Sequence, residues 1–143
     1  MAYLLDTNVV SEIRKGLGSD ATVLAYMRGI DHDETRISVI TIMEIARGIE
    51  LIERRGDIQQ AAVLSEWFQQ RVLGNYDNGQ ILQVTTPIAV IAGKFQAANG
   101  VKDYDSLIAA TAKHYGLILL TRNVKDFVEF DIELECPWQP INP

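Results

Sequence analysis

The chain has 143 residues, of which 48% are hydrophobic and 22% charged, and its formal net charge at pH 7 is −6. These values predict one folded globular domain over residues 1–143 and argue against a protein that holds nucleic acid through a broad basic surface. The single cysteine, Cys136, excludes an intramolecular disulfide and a metal site built on thiolates. We expect a cytoplasmic protein, because no apolar run approaches the roughly 20 residues of a membrane helix and the start resembles no signal peptide.

Apolar runs alternate with capping and turn residues in the first half of the chain. The apolar run Tyr3–Leu5 ends at Asp6, Thr7 and Asn8, which are good capping types, so a buried strand leading directly into a helix is predicted. The predicted elements are a strand at 3–5, a helix at 9–15, a loop at 16–20, a helix at 21–28, a strand at 36–40 and helices at 41–55 and 58–73. The last two helices would form an antiparallel hairpin.

The second half continues this alternation. Its predicted elements are a loop at 75–79, a strand at 81–84, a helix at 87–98, a helix at 103–115 closed by Gly116, a strand at 117–120 and an edge strand at 132–134. Strands that alternate with helices in one domain predict an α/β architecture, with a mainly parallel sheet covered by helices on both faces.

Acidic residues at the carboxyl ends of the predicted strands are candidate site residues, because ligands of open α/β sheets bind at that edge. Asp6 ends the first strand, whereas Asn123 and Asp126 follow the strand at 117–120. In the helix predicted at 41–55, isoleucines form one apolar face. Glu44 lies about 100° from the centre of that face and so borders the core. Asp105 heads a buried helix face, where an unpaired carboxylate would cost several kcal/mol.

Carboxylates that converge without Lys or Arg partners shift toward their neutral form unless a cation is present. Hard oxygen ligands suit Mg2+ or Mn2+, which lower the pKa of bound water and stabilise an in-line attack on a phosphodiester. The sequence therefore favours metal-assisted phosphoryl hydrolysis, with Asp6, Glu44 and Asp105 as metal ligands.

The remaining aromatic and imidazole side chains are interpreted as structural. His32 and His114 share no spacing with other candidate ligands, so both are assigned to the surface or to packing. Trp67 has core-like spacing, and Trp138 is interpreted as a cap on the core. Stacking on an RNA base is the alternative for either tryptophan.

Three segments resemble a known family: residues 4–12, residues 38–45, and residues 105–112 followed by Thr121-Arg122-Asn123 and Asp126-Phe127. In this order they span nearly the whole chain. Together they are similar to PIN-domain ribonucleases of the VapC and FitB toxin type. The resemblance implies an α/β/α sandwich and an endoribonuclease that cleaves single-stranded RNA or RNA loops.

The resemblance also implies the site and its partners. Asp6, Glu44 and Asp105 fall on three acidic positions that hold Mg2+ or Mn2+ in the family, and Asn123 occupies the usual position of the fourth. Asp126 could substitute for that missing acid, and the number of metal ions is left open. Family members are usually homodimers, inhibited by an antitoxin whose C-terminal segment enters the acidic groove.

Three other functional classes also place an acid after the first strand or share this fold. An aspartyl-nucleophile phosphatase needs a second acid two residues after the first, but position 8 is asparagine. A receiver domain needs an acidic pair after its first strand, and none is present. A non-catalytic PIN-like module that binds RNA or protein stays open because of Asn123.

Overall fold

A computed structural model describes residues 1–102 and 104–139. Its strands are β1 (Tyr3–Leu5), β2 (Thr35–Ser38), β3 (Ile81–Leu82), β4 (Ile118–Leu120) and β5 (Glu133–Glu135). Its α-helices are α1 (Thr7–Ile13), α2 (Ala21–Arg28), α3 (Val39–Arg54), α4 (Ile58–Trp67), α5 (Thr86–Asn99), α6 (Asp105–Tyr115) and α7 (Val124–Phe127). Short 3-10 turns lie at Gly16–Gly18 and His32–Glu34, and π-helical turns at Phe68–Leu73 continue α4.

The five strands form one parallel sheet in the order β3-β2-β1-β4-β5. In the central strand β1, Tyr3 is in register with Thr35 of β2 and with Ile118 of β4. The strand order changes direction at β1, so the carboxyl ends of β1 and β4 lie side by side at a switch point of the sheet.

Side chains that alternate along β1 and β4 enter two separate apolar layers, because successive residues of a strand point to opposite faces. Leu4 and Leu119 pack on one face with α6, Phe127 and Phe130. Leu5 and Leu120 pack on the other face with residues of α1 and α3. Helices therefore cover both faces, which confirms the predicted α/β sandwich and its parallel sheet.

Four helices begin at side chains that accept a backbone N–H of the first turn: Asp6, Asp20, Ser38 and Asp57. Such caps stabilise a helix by about 1 kcal/mol each. Helix α6 ends at Gly116, whose φ of 64° lies in the left-handed region that favours glycine. No helix in the described parts of the chain has both the length and the apolar character needed to cross a membrane.

The capping residues also explain where the predicted elements were wrong. Val39 and Ile40 were assigned to the second strand but form the first turn of α3, because the Ser38 hydroxyl accepts the Ile40 N–H at 3.0 Å. In the same way, Asp6 starts α1 at Thr7 instead of residue 9.

Other boundaries moved by one or two residues. The predicted strand at 81–84 contains only Ile81–Leu82, and the edge strand is Glu133–Glu135 instead of 132–134. The helix predicted at 103–115 begins at Asp105. Asp103, and residues 140–143 of the predicted domain, lie outside the described residues.

Candidate active site

The carboxylate of Asp6 lies between the adjoining ends of β1 and β4. Its backbone N–H donates to the carbonyl of Leu120 at 2.9 Å. Its Oδ1 accepts the Thr7 N–H at 2.8 Å, and its Oδ2 accepts the Thr121 hydroxyl at 2.8 Å and the Asn8 amide at 3.3 Å. Donors from both strand ends therefore fix this carboxylate in one position.

Asp6 is only 7% exposed, and its pKa is raised. Burial is the largest cause, the negative charge of Asp126 adds to it, and the hydrogen bonds from Thr121, Thr7 and Asn8 oppose it. Within the described residues no Lys or Arg forms an ion pair with Asp6. A hard cation fits this position, because it would supply the positive charge that the buried carboxylate lacks.

Glu44 is held next to Asp6 through Thr7. The Thr7 hydroxyl donates to Glu44 Oε1 at 2.7 Å, and its oxygen lies 3.1 Å from Oγ1 of the buried Thr41. Glu44 itself is half-buried, as its position at the border of the core predicted. The hydroxyl of the residue that follows Asp6 thus fixes the second carboxylate.

Asp105 occupies the first turn of α6 and is half-buried. Helix α6 ends where the chain turns into the amino end of β4, so its first turn lies toward the carboxyl edge of the sheet. The helix face below it is buried as predicted, with Ile108, Ala109 and Ala112 each at most 2% exposed. The fold therefore brings a third acid to the edge where Asp6 lies.

Asn123 and Asp126 differ in what they contribute to this edge. Asn123 is exposed, and its backbone N–H donates to Thr121 Oγ1 at 3.0 Å. Asp126 is half-buried on α7, and its charge acts on Asp6. Of these two residues, Asp126 is therefore the one that interacts electrostatically with the Asp6 carboxylate.

The predicted ligands lie toward one edge of the sheet, but they are not arranged as the ligands of a metal ion. Within residues 1–102 and 104–139, no three His, Cys, Asp or Glu side chains are arranged to hold a metal ion. Glu44 Oε1 instead accepts the Thr7 hydroxyl. The assignment of Asp6, Glu44 and Asp105 to a metal stays a prediction.

Two hydroxyl groups in this network were not predicted as site residues. The fully buried Thr121, which directly follows β4, donates to Asp6, and Thr7 of α1 donates to Glu44. Both belong to segments that carry the family resemblance, and Thr7 was interpreted only as a capping residue. Asn8 adds a third link, because its Oδ1 accepts the Arg122 N–H at 3.1 Å.

The other singled-out side chains have packing roles. The rings of His32 and Tyr76 lie 4.6 Å apart, and those of His114 and Tyr115 lie 4.7 Å apart. Trp67 and Trp138 are half-buried against the cluster that contains Leu5. Each tryptophan also has an arginine over its ring, Arg14 over Trp67 and Arg122 over Trp138.

The fold is that of a known family. The PIN domain matches residues 3–133, so the chain belongs to the PIN-domain family. The family predicted from the three sequence segments is confirmed.

The chain is also similar to named proteins. It is 29% identical to Toxin FitB of Neisseria gonorrhoeae, with 94% of this chain and 97% of the relative covered. It is 27% identical to VapC ribonuclease Y4jK of Sinorhizobium fredii, with 96% and 98% covered. A chain in the crystal structure of FitAcB from Neisseria gonorrhoeae is 30% identical and superposes with a TM-score of 0.84, covering 96% of this chain and 99% of that one.

The raised pKa of Asp6 predicts a pH-dependent gain in stability for Asp6→Asn. Because the folded-state pKa lies above the unfolded one, the folded protein binds more protons in the interval between them, and stability falls as pH rises through that interval. Asparagine caps α1 about as well and carries no charge. Without added metal, we expect urea titrations to give the variant the higher free energy of unfolding at pH 7.5, with a smaller difference at about pH 3.5, below the ordinary pKa of an aspartate.

The control is Asp77→Asn, which removes an exposed charge far from this edge. It should change stability by less than about 0.5 kcal/mol at either pH. An Asp6→Asn protein less stable than the wild type at pH 7.5 would contradict the prediction.

Proposed function

We propose that this chain is a metal-dependent endoribonuclease that hydrolyses RNA phosphodiesters as the toxin of a toxin–antitoxin pair. The observation that carries the proposal is the buried Asp6 carboxylate, which has a raised pKa and lies at the sheet edge shared with Glu44, Asp105 and Asp126. The relatives named Toxin FitB and VapC ribonuclease, similar over nearly their whole lengths, support it.

The side chains at this edge have two proposed roles: the acids bind metal, and two threonines position the acids. Asp6, Glu44 and Asp105 would hold Mg2+ or Mn2+, which when bound lowers the pKa of water and stabilises charge on the phosphodiester oxygens. Thr121 and Thr7 orient Asp6 and Glu44 through hydrogen bonds of 2.8 and 2.7 Å. These hydroxyls reduce the freedom of both carboxylates before metal and RNA arrive.

The fourth acidic position of the family is assigned to Asp126 in this proposal. Asn123 has a neutral side chain and is exposed, whereas the charge of Asp126 reaches Asp6. A carboxylate on α7 can therefore replace the acid that is missing from the loop after β4. The proposed site then has four acids, and the fourth is at position 126 instead of position 123.

A second candidate function is a PIN-like module that binds RNA or protein without cleaving it. The neutral Asn123 and the absence of a closed ligand triad within the described residues favour it. The two functions differ in one measurable property, which is whether bound RNA is cut.

Cleavage of RNA should therefore require both a divalent metal and the acids. With Mg2+ or Mn2+, wild-type protein should cut single-stranded RNA, and excess chelator should stop the reaction. Asp6→Asn and Asp105→Asn should each lower the rate about 100-fold or more. Mutating even a residue that only hydrogen-bonds to a metal ligand typically lowers metal affinity or activity about 10- to 100-fold. Gel analysis of end-labelled RNA measures this, with Asp77→Asn as the matched control. RNA that is bound but left intact with either metal would support the binding module instead.

Binding of metal should also be visible without any reaction. A ligand that binds only the folded state stabilises it by about 2.7 kcal/mol at 100 times its dissociation constant. We expect Mn2+ to raise the melting temperature of the wild type, and Asp126→Asn to weaken that shift far more than Asn123→Ala does. Equal shifts in these two variants would remove Asp126 from the metal site.

The partner implied by the toxin class is an antitoxin. The buried Asp6, which forms no ion pair with a described Lys or Arg, suits a basic side chain from an inhibitory C-terminal segment, by electrostatic complementarity. The similar structures of FitAB and FitAcB, at 28% and 30% identity, support this proposal. The expected homodimer stays a prediction.

Co-expression with the neighbouring open reading frame tests the partner. We expect the two products to co-purify, and the complex to cleave RNA more slowly than the toxin alone. The controls are the chain expressed alone and the complex after proteolysis of the smaller protein, which should restore cleavage. Two products that elute separately would argue against an antitoxin encoded there.

A further inference from the structure

Two adjoining clefts form a continuous path that leads away from the acidic edge. The first, of about 240 Å³, is lined by Thr7 and Glu44 at the site and by Arg14 and Trp67 farther along. The second, of about 400 Å³, is again lined by Arg14 and Trp67, and also by Arg71. We call this path, defined by Arg14, Trp67 and Arg71, the Arg14–Trp67 groove.

The charge of this groove is opposite to that of the chain as a whole. The formal net charge of the protein is −6, yet Glu44, at the site end, is the only acid that lines either cleft in the part of the chain described. Arg14 and Arg71 form no ion pair with a described residue. Two uncompensated guanidinium groups favour an anionic occupant such as a phosphodiester chain.

Aromatic surface accompanies these cations. The guanidinium of Arg14 lies 6.0 Å from the ring centroid of the half-buried Trp67. The far end of the groove is lined by the exposed ring of His32, which lies 4.6 Å from the ring of the buried Tyr76. Cations beside aromatic rings fit single-stranded nucleic acid, because phosphates pair with the cations while unstacked bases pack on the rings.

We infer that single-stranded RNA flanking the cleaved phosphodiester binds in the Arg14–Trp67 groove. This inference rests on the proposed ribonuclease function and adds a subsite to it. Arg14 follows Thr7 by seven positions (14 − 7) along α1, which is about 10 Å at 1.5 Å per residue. The groove therefore holds nucleotides a few positions from the cleavage site, Arg71 binds a phosphate, and Trp67 stacks on a base.

The test compares binding and cleavage of short single-stranded RNAs by groove variants. Binding is measured by fluorescence anisotropy in Mg2+ in an Asp105→Asn background, so that the RNA stays intact. Trp67→Leu should weaken binding of an octanucleotide about 5- to 150-fold, and Trp67→Phe should retain most of the affinity. Arg71→Gln should reduce the slope of log K against log salt by about 0.7, the value for one phosphate of a single strand.

The charge-matched control is Arg55→Gln, an exposed residue that lines neither cleft. It should leave affinity and salt slope near the wild-type values. In the cleavage-competent protein, the groove variants should raise the KM of the octanucleotide more than that of a dinucleotide, because a dinucleotide makes fewer contacts along the groove. The difference should be largest for Arg71→Gln, since Arg71 lines only the cleft farther from the site.

Outcomes that reject the groove differ from those that reject the nuclease. If wild-type protein cleaves RNA but Trp67→Leu and Arg71→Gln bind it as the wild type does, the subsite is wrong and the proposed function stands. Loss of antitoxin binding in these variants, with RNA binding intact, would assign the groove to a protein partner. A wild-type chain that neither binds nor cuts RNA would overturn both.

Discussion

The burial of one carboxylate between two parallel strand ends is the constraint on which the site depends. Asp6 caps α1, and its backbone joins β1 to β4. It also receives the hydroxyl of Thr121, 115 residues away in the sequence. A charge in this place is unfavourable by itself, since burial raises its pKa, and the surrounding donors offset this only in part. This buried carboxylate is therefore the group on which the proposed metal site is centred.

The remaining acids are arranged around that position by elements with different packing roles. Glu44 comes from a helix bordering one apolar layer, and Asp105 from a helix buried in the other. The two layers meet at the carboxyl edge of the sheet, so acids from both faces reach it. The cationic, aromatic groove continues this edge on the side of α1 and α4. The acids proposed to hold metal thus lie at one end of the Arg14–Trp67 groove, and the arginines proposed to bind RNA lie farther along it.

Much of the fold could be predicted because local physics sets it. The run Tyr3–Leu5, the helix Ala21–Arg28 and the closure of α6 at Gly116 follow from apolar period and capping types, and the structure has them where the sequence placed them. Val39 and Ile40 show the limit of this reasoning. Their β-branched side chains favour a strand, but the hydroxyl of Ser38 captures the Ile40 N–H and starts a helix.

The sequence by itself determined the family and the parallel α/β sandwich, because motif, period and capping are local properties, and it selected the acids that are proposed as the site. Only the tertiary structure decided which groups hold those acids. It joined Thr121 to Asp6 and Thr7 to Glu44, and it brought the charge of Asp126 to bear on Asp6. It also placed Arg14 over Trp67 in a groove that begins at the site. These contacts depend on how distant elements pack, and no spacing along the chain encodes them.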